Sequence, residues 1–308
     1  MQASASAKII LMGEHAVVYG TPSIAMPITE LRAWAEVNPA EQFQIEALDT
    51  GQTIRLGGNE PLARLAELSL QALKADVPQV RISLRADIPI ASGLGSGAAL
   101  STALARAIAL ACGRDWDVEV LNNVVYQVEK LYHGTPSGVD NTVIVYEKPI
   151  WFVRQRPIET LDVGTDFHFV VADTGIPAPT YESVGAVRRL LETKPEYVRP
   201  IIDNIGYLTE QARSCLARGE AEELGHRMNA NQECLRQLTV SSDELENLIR
   251  VARNHGALGA KLSGGGRGGN MLALVFEQDA EKIRLALLSA GARRAFVTRL
   301  ARTGERKL

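Results

Sequence analysis

The residues of this chain that could do chemistry together are a lysine in an apolar strand, two carboxylates eleven residues apart and two glycine-rich loops. Lys8 lies in the run Ala7 to Met12, where a lysine is rare unless paired or functional. Its charge could stabilise a neighbouring carboxylate or lower the pKa of a substrate hydroxyl. Alternatively the ammonium snorkels to solvent from the strand end. Glu129 and Asp140 flank His-Gly-Thr-Pro-Ser-Gly-Val. Near a phosphate, such a pair could divide the work of metal ligand and general base; elsewhere it is a surface acid and a turn acid. From Asp87 to Leu100, Gly93, Gly95 and Gly97 alternate with other residues between an extended segment and an Ala-rich run. That arrangement brings backbone N–H groups and a helix N-terminus to an anion, a phosphate cradle. It also suits a strand-to-helix turn that needs its glycines for conformation alone. The Ser96 hydroxyl could ligate magnesium or cap the following helix. Lys261 to Asn270 carries five glycines among ten residues, which suits close approach to phosphates or a flexible turn. Glu14 and His15 follow directly on the first strand.

Other chemistries fail on these same residues. Gly93, Gly95 and Ala98 fit the dinucleotide fingerprint, but that fold needs a second strand ending in an acid about 20 residues on. Asp115 and Asp117 are near that distance, yet helix-period sequence follows, and Pro89 is awkward in a central parallel strand. A Walker A loop needs Gly-Lys, a pair the chain lacks. Asp166-Phe167-His168 only approaches the protein-kinase DFG triplet. A net charge of −3 speaks against nucleic acid as a partner. No run of apolar residues is long enough to span a membrane, and the N-terminus lacks signal-peptide order. Cys112, Cys215 and Cys234 form no C-x-x-C, which indicates a reducing compartment, the cytoplasm. The five histidines are unclustered, so no transition metal held by protein ligands alone is expected.

Periodicity supplies the elements that must hold these groups. Strands are expected at 7–12, 23–28, 32–37, 43–48, 53–56 and 80–86, with helices at 61–75, 98–112 and 117–132. A loop then runs to Asp140, followed by strands at 143–146 and 150–153. Beyond a boundary at 154–165 come a strand at 167–172 and helices near 181–192, 195–217, 221–235 and 243–254. Strands at 257–262 and 271–276, a helix at 279–289 and a strand at 295–300 complete an α+β chain of two lobes, 1–160 and 161–308.

Taken together, the motifs resemble the galactokinase–homoserine kinase–mevalonate kinase–phosphomevalonate kinase (GHMP) superfamily, and its mevalonate kinase family in particular. Ala7 to Gly20 resembles the N-terminal motif, Pro89 to Ala99 the phosphate loop, Glu129 with His133 to Asn141 the catalytic segment, and Lys261 to Gly269 the third motif. The matches follow the family's order along the whole chain. The resemblance implies an N-terminal lobe like domain 2 of ribosomal protein S5, a ferredoxin-like C-terminal lobe and an active site in the cleft between them. It also implies ATP-dependent phosphorylation of the 5-hydroxyl of mevalonate in isoprenoid synthesis.

Carried onto this sequence, the resemblance makes Asp140 the base and Lys8 its activating cation. Glu129 and Ser96 would hold Mg²⁺, and Pro89, Ala91, Ser92, Gly93, Leu94, Gly95, Ser96, Gly97, Ala98 and Ala99 would hold ATP together with Ser263, Gly264 and Gly265. Glu14, His15 and Thr180 would lie at the substrate, and a homodimer is the oligomer that the family suggests. Two positions depart from the family. Gly97 replaces a second serine of the loop, and Arg267 replaces a small residue of the third motif, where it adds a cation near the phosphates or points to solvent. Phosphomevalonate kinase, a mevalonate 3-kinase, a homoserine or sugar kinase, a non-catalytic ligand sensor and an NAD-linked dehydrogenase are the competing readings.

Overall fold

The computed structural model describes residues 1–89, 93–133, 136–177 and 179–304. Ala91 and Ser92 of the glycine loop, and Gly134 and Thr135 of the catalytic segment, lie outside the described residues. Two units divide the chain: Met1–Lys8, Pro27–Ile90 and Leu94–Glu147 form the first, and Ile9–Met26, Ala91–Gly93 and Lys148–Leu308 the second.

Strand β1 (Gln2–Met12), of which residues 2–8 belong to the first unit and 9–12 to the second, is buried on both faces from Ala5 to Ile9, so its alternation is hidden and its start lies upstream of the predicted one. Strand β2 (Ser23–Pro39) runs unbroken through Thr29 to Leu31, where the sequence predicts a gap. Those residues lose their apolar pattern because they are partly exposed, and exposure does not interrupt a backbone ladder. Strands β3 (Gln44–Ala47), β4 (Gln52–Ile54) and β5 (Val80–Ala86) extend the sheet in the order β4-β3-β5-β2, with β1 also paired to β2. β5 buries Ile82 and Leu84 and turns Arg81 and Arg85 outward, as period-2 alternation requires.

Helices α1 (Pro61–Leu73), α2 (Ser96–Ala111), α3 (Val118–His133) and α4 (Val139–Tyr146) pack on one another, and α2 also lies on β5. The small residues of α2 let its neighbours approach closely, and ten of its side chains are buried. α4 corrects the expected strand at 143–146 and the expected loop to Asp140. Val139 and 141–145 are all buried, so no helical period shows in the sequence, and a short β-branched run cannot reveal its own conformation. Gly138, at φ 93°, turns the chain into this helix and leaves Asp140 in its first turn.

In the second unit, β6 (Ile150–Phe152) pairs with the first residues of β2, and β7 (Glu159–Thr160), too short to have a pattern, pairs with β6. Strands β8 (Phe167–Asp173), β9 (Gly259–Ser263), β10 (Asn270–Val275) and β11 (Arg294–Leu300) form an antiparallel sheet in the order β11-β8-β10-β9. Helices α5 (Thr180–Thr193), α6 (Pro195–Arg218), α7 (Ala221–Gln237), α8 (Asp243–Asn254) and α9 (Ala280–Ser289) fall close to their expected places. α7 and α8 pack on β9, while α9 packs on β8 and β11.

Candidate functional site

The first unit joins four of the predicted residues. Lys8 is 3% exposed, and its Nζ lies 3.0 Å from Asp140 Oδ1. A buried ammonium is costly unless paired, and this partner settles the choice against a lysine that snorkels to water. The Lys8 backbone N–H also donates to the Leu94 carbonyl at 3.0 Å, so one residue meets both the catalytic segment and the glycine loop. Glu129 continues the buried stripe of α3 formed by Leu121, Val124, Val125 and Val128. Burial first, then the Asp140 charge, raises its pKa to about 7, against an opposing effect of Lys8.

The loop is bent to fit these groups. Gly95 has φ +77°, and a Cβ there would stand 2.7 Å from Ile144 Cδ1 and 3.0 Å from Lys8 Cγ. Glycine is therefore required both for conformation and for space. Gly95 also occupies the N-cap of α2 and places Ser96 at its first helical residue, which removes the capping role proposed for the Ser96 hydroxyl. The first turn of α2 leaves the backbone N–H groups of Ser96, Gly97 and Ala98 without an intrahelical acceptor, of the kind that bind anions, whereas the Ala99 N–H already donates to the Gly95 carbonyl at 2.9 Å. Leu94 is buried beneath the loop, Gly93 has φ +78°, and Pro89 is half-buried before it. At Gly97 a Cβ would make an ordinary contact, 3.5 Å from Glu129 Oε1.

Residues that the sequence did not single out hold this geometry. Glu147, which caps α4, receives Arg32 and Arg106 at 2.9 Å each and the Ser6 N–H at 3.2 Å. Arg106 also donates to the carbonyls of Ser4 and Val145. β1, which carries Lys8, is thereby fastened to α4, which carries Asp140. The only signal in the sequence was an arginine within an otherwise small-residue helix.

The second unit gathers the others. Glu14 is buried against Lys261, and Asn231 Nδ2 donates to its other oxygen at 3.3 Å. His15, 5% exposed, places Nε2 3.0 Å from the Gly265 carbonyl. Burial, foremost, lowers its pKa to about 4, with Arg267 and Lys261 acting in the same direction. Thr180, at the start of α5, has Cα 3.1 Å and Oγ1 3.3 Å from where a Gly265 Cβ would be. Ser263 Oγ donates to the Ile10 carbonyl at 2.8 Å, and Gly264 has φ +86°. The glycine excess of this motif is used in packing: a Cβ at Gly266 would stand 2.0 Å from the Val240 carbonyl oxygen. Arg267 is exposed, with its Nε 3.4 Å from the Thr239 carbonyl. Lys261 was legible only as a motif residue. Its partner Glu14 lies 247 positions away, beyond any local pattern.

The GHMP kinases N-terminal domain matches residues 62–148, and the GHMP kinases C-terminal domain matches 212–293. The chain belongs to the GHMP kinases, a family of ATP-dependent small-molecule kinases. Within that family the chain is similar over nearly its whole length to mevalonate kinases. It is 34% identical to that of Thermococcus gammatolerans, covering 99% of this chain and 97% of the relative, and 34% identical to that of Pyrococcus furiosus, covering 98% and 96%. Among solved structures, L. major mevalonate kinase in complex with R-mevalonate is 29% identical, with a TM-score of 0.86 over 99% of this chain and 97% of that one. The Lactococcus lactis galactokinase complex with galactose, at 18% identity and a TM-score of 0.78, covering 100% and 95%, shares the fold.

Proposed function

We propose that this chain transfers the γ-phosphoryl group of ATP to the 5-hydroxyl of mevalonate. The carrying observation is the Lys8–Asp140 pair at 3.0 Å. Phosphoryl transfer leaves a protein little covalent work, so positioning and charge dominate catalysis. Asp140, whose side chain is 36% exposed, is the group that accepts the hydroxyl proton. Lys8 holds its carboxylate in place and, by its charge, makes the hydroxyl more acidic.

The residues present fit Mg²⁺. Glu129 is a buried carboxylate whose ionisation is opposed by burial and by Asp140, and a divalent cation would reverse that balance. Glu129 and Ser96 would hold the ion, which supplies charge neutralisation at the β- and γ-phosphates when bound. The α2 N-terminus contributes its N–H groups to the same anions.

In the second unit, His15 and Thr180 are the groups we assign to mevalonate, and Ser263, Gly264 and Gly265 to the nucleotide. Among the described residues no helix is long and apolar enough to cross a membrane. We place the reaction in the cytoplasm, where three free thiols are at home, and expect a homodimer.

A coupled ADP-release assay across mevalonate, phosphomevalonate, homoserine and galactose tests the reading. Turnover is expected with mevalonate far above the others. Its absence with mevalonate, in protein that binds ATP, overturns the assignment.

A further inference from the structure

The backbone at His15 is strained. Its φ and ψ are 62° and −47°, and the Ala16 N–H donates to the Glu14 carbonyl at 2.7 Å. This is the positive-φ γ-turn, which is rare and costly for a residue with a side chain. Such a turn persists only where its surroundings over-determine it.

Side chains from β9 and the loop after it do so here. Ser263 fastens the end of β1 through the Ile10 carbonyl. Two residues earlier on β9, Lys261 Nζ donates to Glu14 Oε1 and, at 2.6 Å, to the Leu262 carbonyl. Both side chains of the Lys261–Glu14 pair are 0% exposed. With Asn231 donating to its second oxygen, both carboxylate oxygens of Glu14 have partners within the protein. Two residues beyond Ser263, the Gly265 carbonyl meets His15 Nε2.

That last contact fixes the tautomer. A carbonyl only accepts, so Nε2 carries the ring proton, and in the neutral ring Nδ1 is then a bare lone pair. Nδ1 is buried and has no hydrogen-bond partner among the described residues. Burial, with the cations Arg267 and Lys261, keeps the ring neutral.

We propose that Lys261 is a positioning residue that acts through Glu14. It holds the strained turn in which His15 presents Nδ1 as an acceptor, so this position takes a hydroxyl of the substrate and turns away its carboxylate. The inference rests on mevalonate being the substrate, a molecule that carries two hydroxyls and one carboxylate. A carboxylate offers only acceptors and would meet a lone pair.

The test uses the full chain labelled with ¹⁵N-histidine. Long-range ¹H–¹⁵N spectra at pH 7, assigned with His15→Asn, are expected to show a single His15 tautomer with Nδ1 unprotonated. The variant Glu14→Gln/Lys261→Met leaves no buried charge unpaired. It is expected to fold, to lose the single tautomer and to raise KM for mevalonate about tenfold. KM for ATP and kcat should stay within about threefold, because the lost interaction serves substrate binding alone.

A protonated Nδ1 in the parent protein overturns the proposal. So does a folded double variant with unchanged mevalonate KM. Failure of the double variant to fold also overturns it, because the pair would then be a structural requirement and not a positioning device. Absence of mevalonate turnover in the parent protein defeats the functional reading instead, and the tautomer measurement tells the two failures apart.

Discussion

Lys8 and Asp140 stand 3.0 Å apart with unequal exposure: the lysine side chain is 4% accessible and the aspartate side chain 36%. The cation is therefore a fixed element of the protein, while the carboxylate keeps one side open to a reactant. Asp140→Ala should lower kcat by about 10³-fold, the scale of a lost general base, with ATP affinity unchanged by equilibrium titration. Lys8→Met should lower kcat by about 10²-fold. A change confined to KM would remove Lys8 from the chemistry.

The strand of Lys8 and the helix of Asp140 are tied by Arg106, through Glu147 and the Ser4 and Val145 carbonyls. Arg106→Ala leaves these acceptors with fewer donors in a half-buried setting, and should cost about 1–3 kcal/mol in denaturant unfolding. It should also reduce kcat more than it raises KM for ATP, as measured by initial rates.

Gly97 is the loop position where the family often carries a serine. A Cβ there would lie in ordinary contact, 3.5 Å from Glu129 Oε1, so Gly97→Ser should be tolerated. The added hydroxyl would stand beside the proposed metal ligand, and the Mg²⁺ concentration for half-maximal rate should fall by about fivefold, the worth of one additional weak ligand. An unchanged Mg²⁺ dependence would separate this position from the metal.

Gly95 shows the opposite case, because positive φ and contact with Ile144 and Lys8 both exclude a side chain. Gly95→Ala should weaken ATP binding, measured by calorimetry, and lower the melting temperature. The same exchange at Gly113, where nothing lies within 4 Å, faces only the strain of φ +63°.

His15 predicts a pH dependence of stability. Its pKa is about 4 when folded, against 6.5 for an ordinary histidine. Below pH 6.5 the unfolded chain binds a proton that the folded chain refuses, so stability falls as pH falls. The contribution is complete above pH 6.5 and lost progressively toward pH 4, by about 3 kcal/mol in all. Urea unfolding between pH 7 and 4 should show a slope steeper than that of His15→Gln by up to one proton.

The sequence by itself determined much of this protein. Glycines at alternate positions before an Ala-rich run, a lysine among buried residues, and acids on either side of a Pro-Ser-Gly turn are local patterns. Each is written in neighbours along the chain, and the long periodic helices α1 to α3 and α5 to α9 followed from the same kind of signal. Only the tertiary structure decided that α4 is a helix, because the unbroken buried run at 141–145 shows no period, and that β2 is one strand. It alone decided the pairing of Arg106 with Glu147 and of Lys261 with Glu14, and it supplied the 3.0 Å geometry of the Lys8–Asp140 pair that the family resemblance led one to expect. The physical reason is common to all three: a buried charge is stable only beside its partner. A linear pattern shows that a charge will need one without showing which residue, 247 positions away in the last case, will supply it.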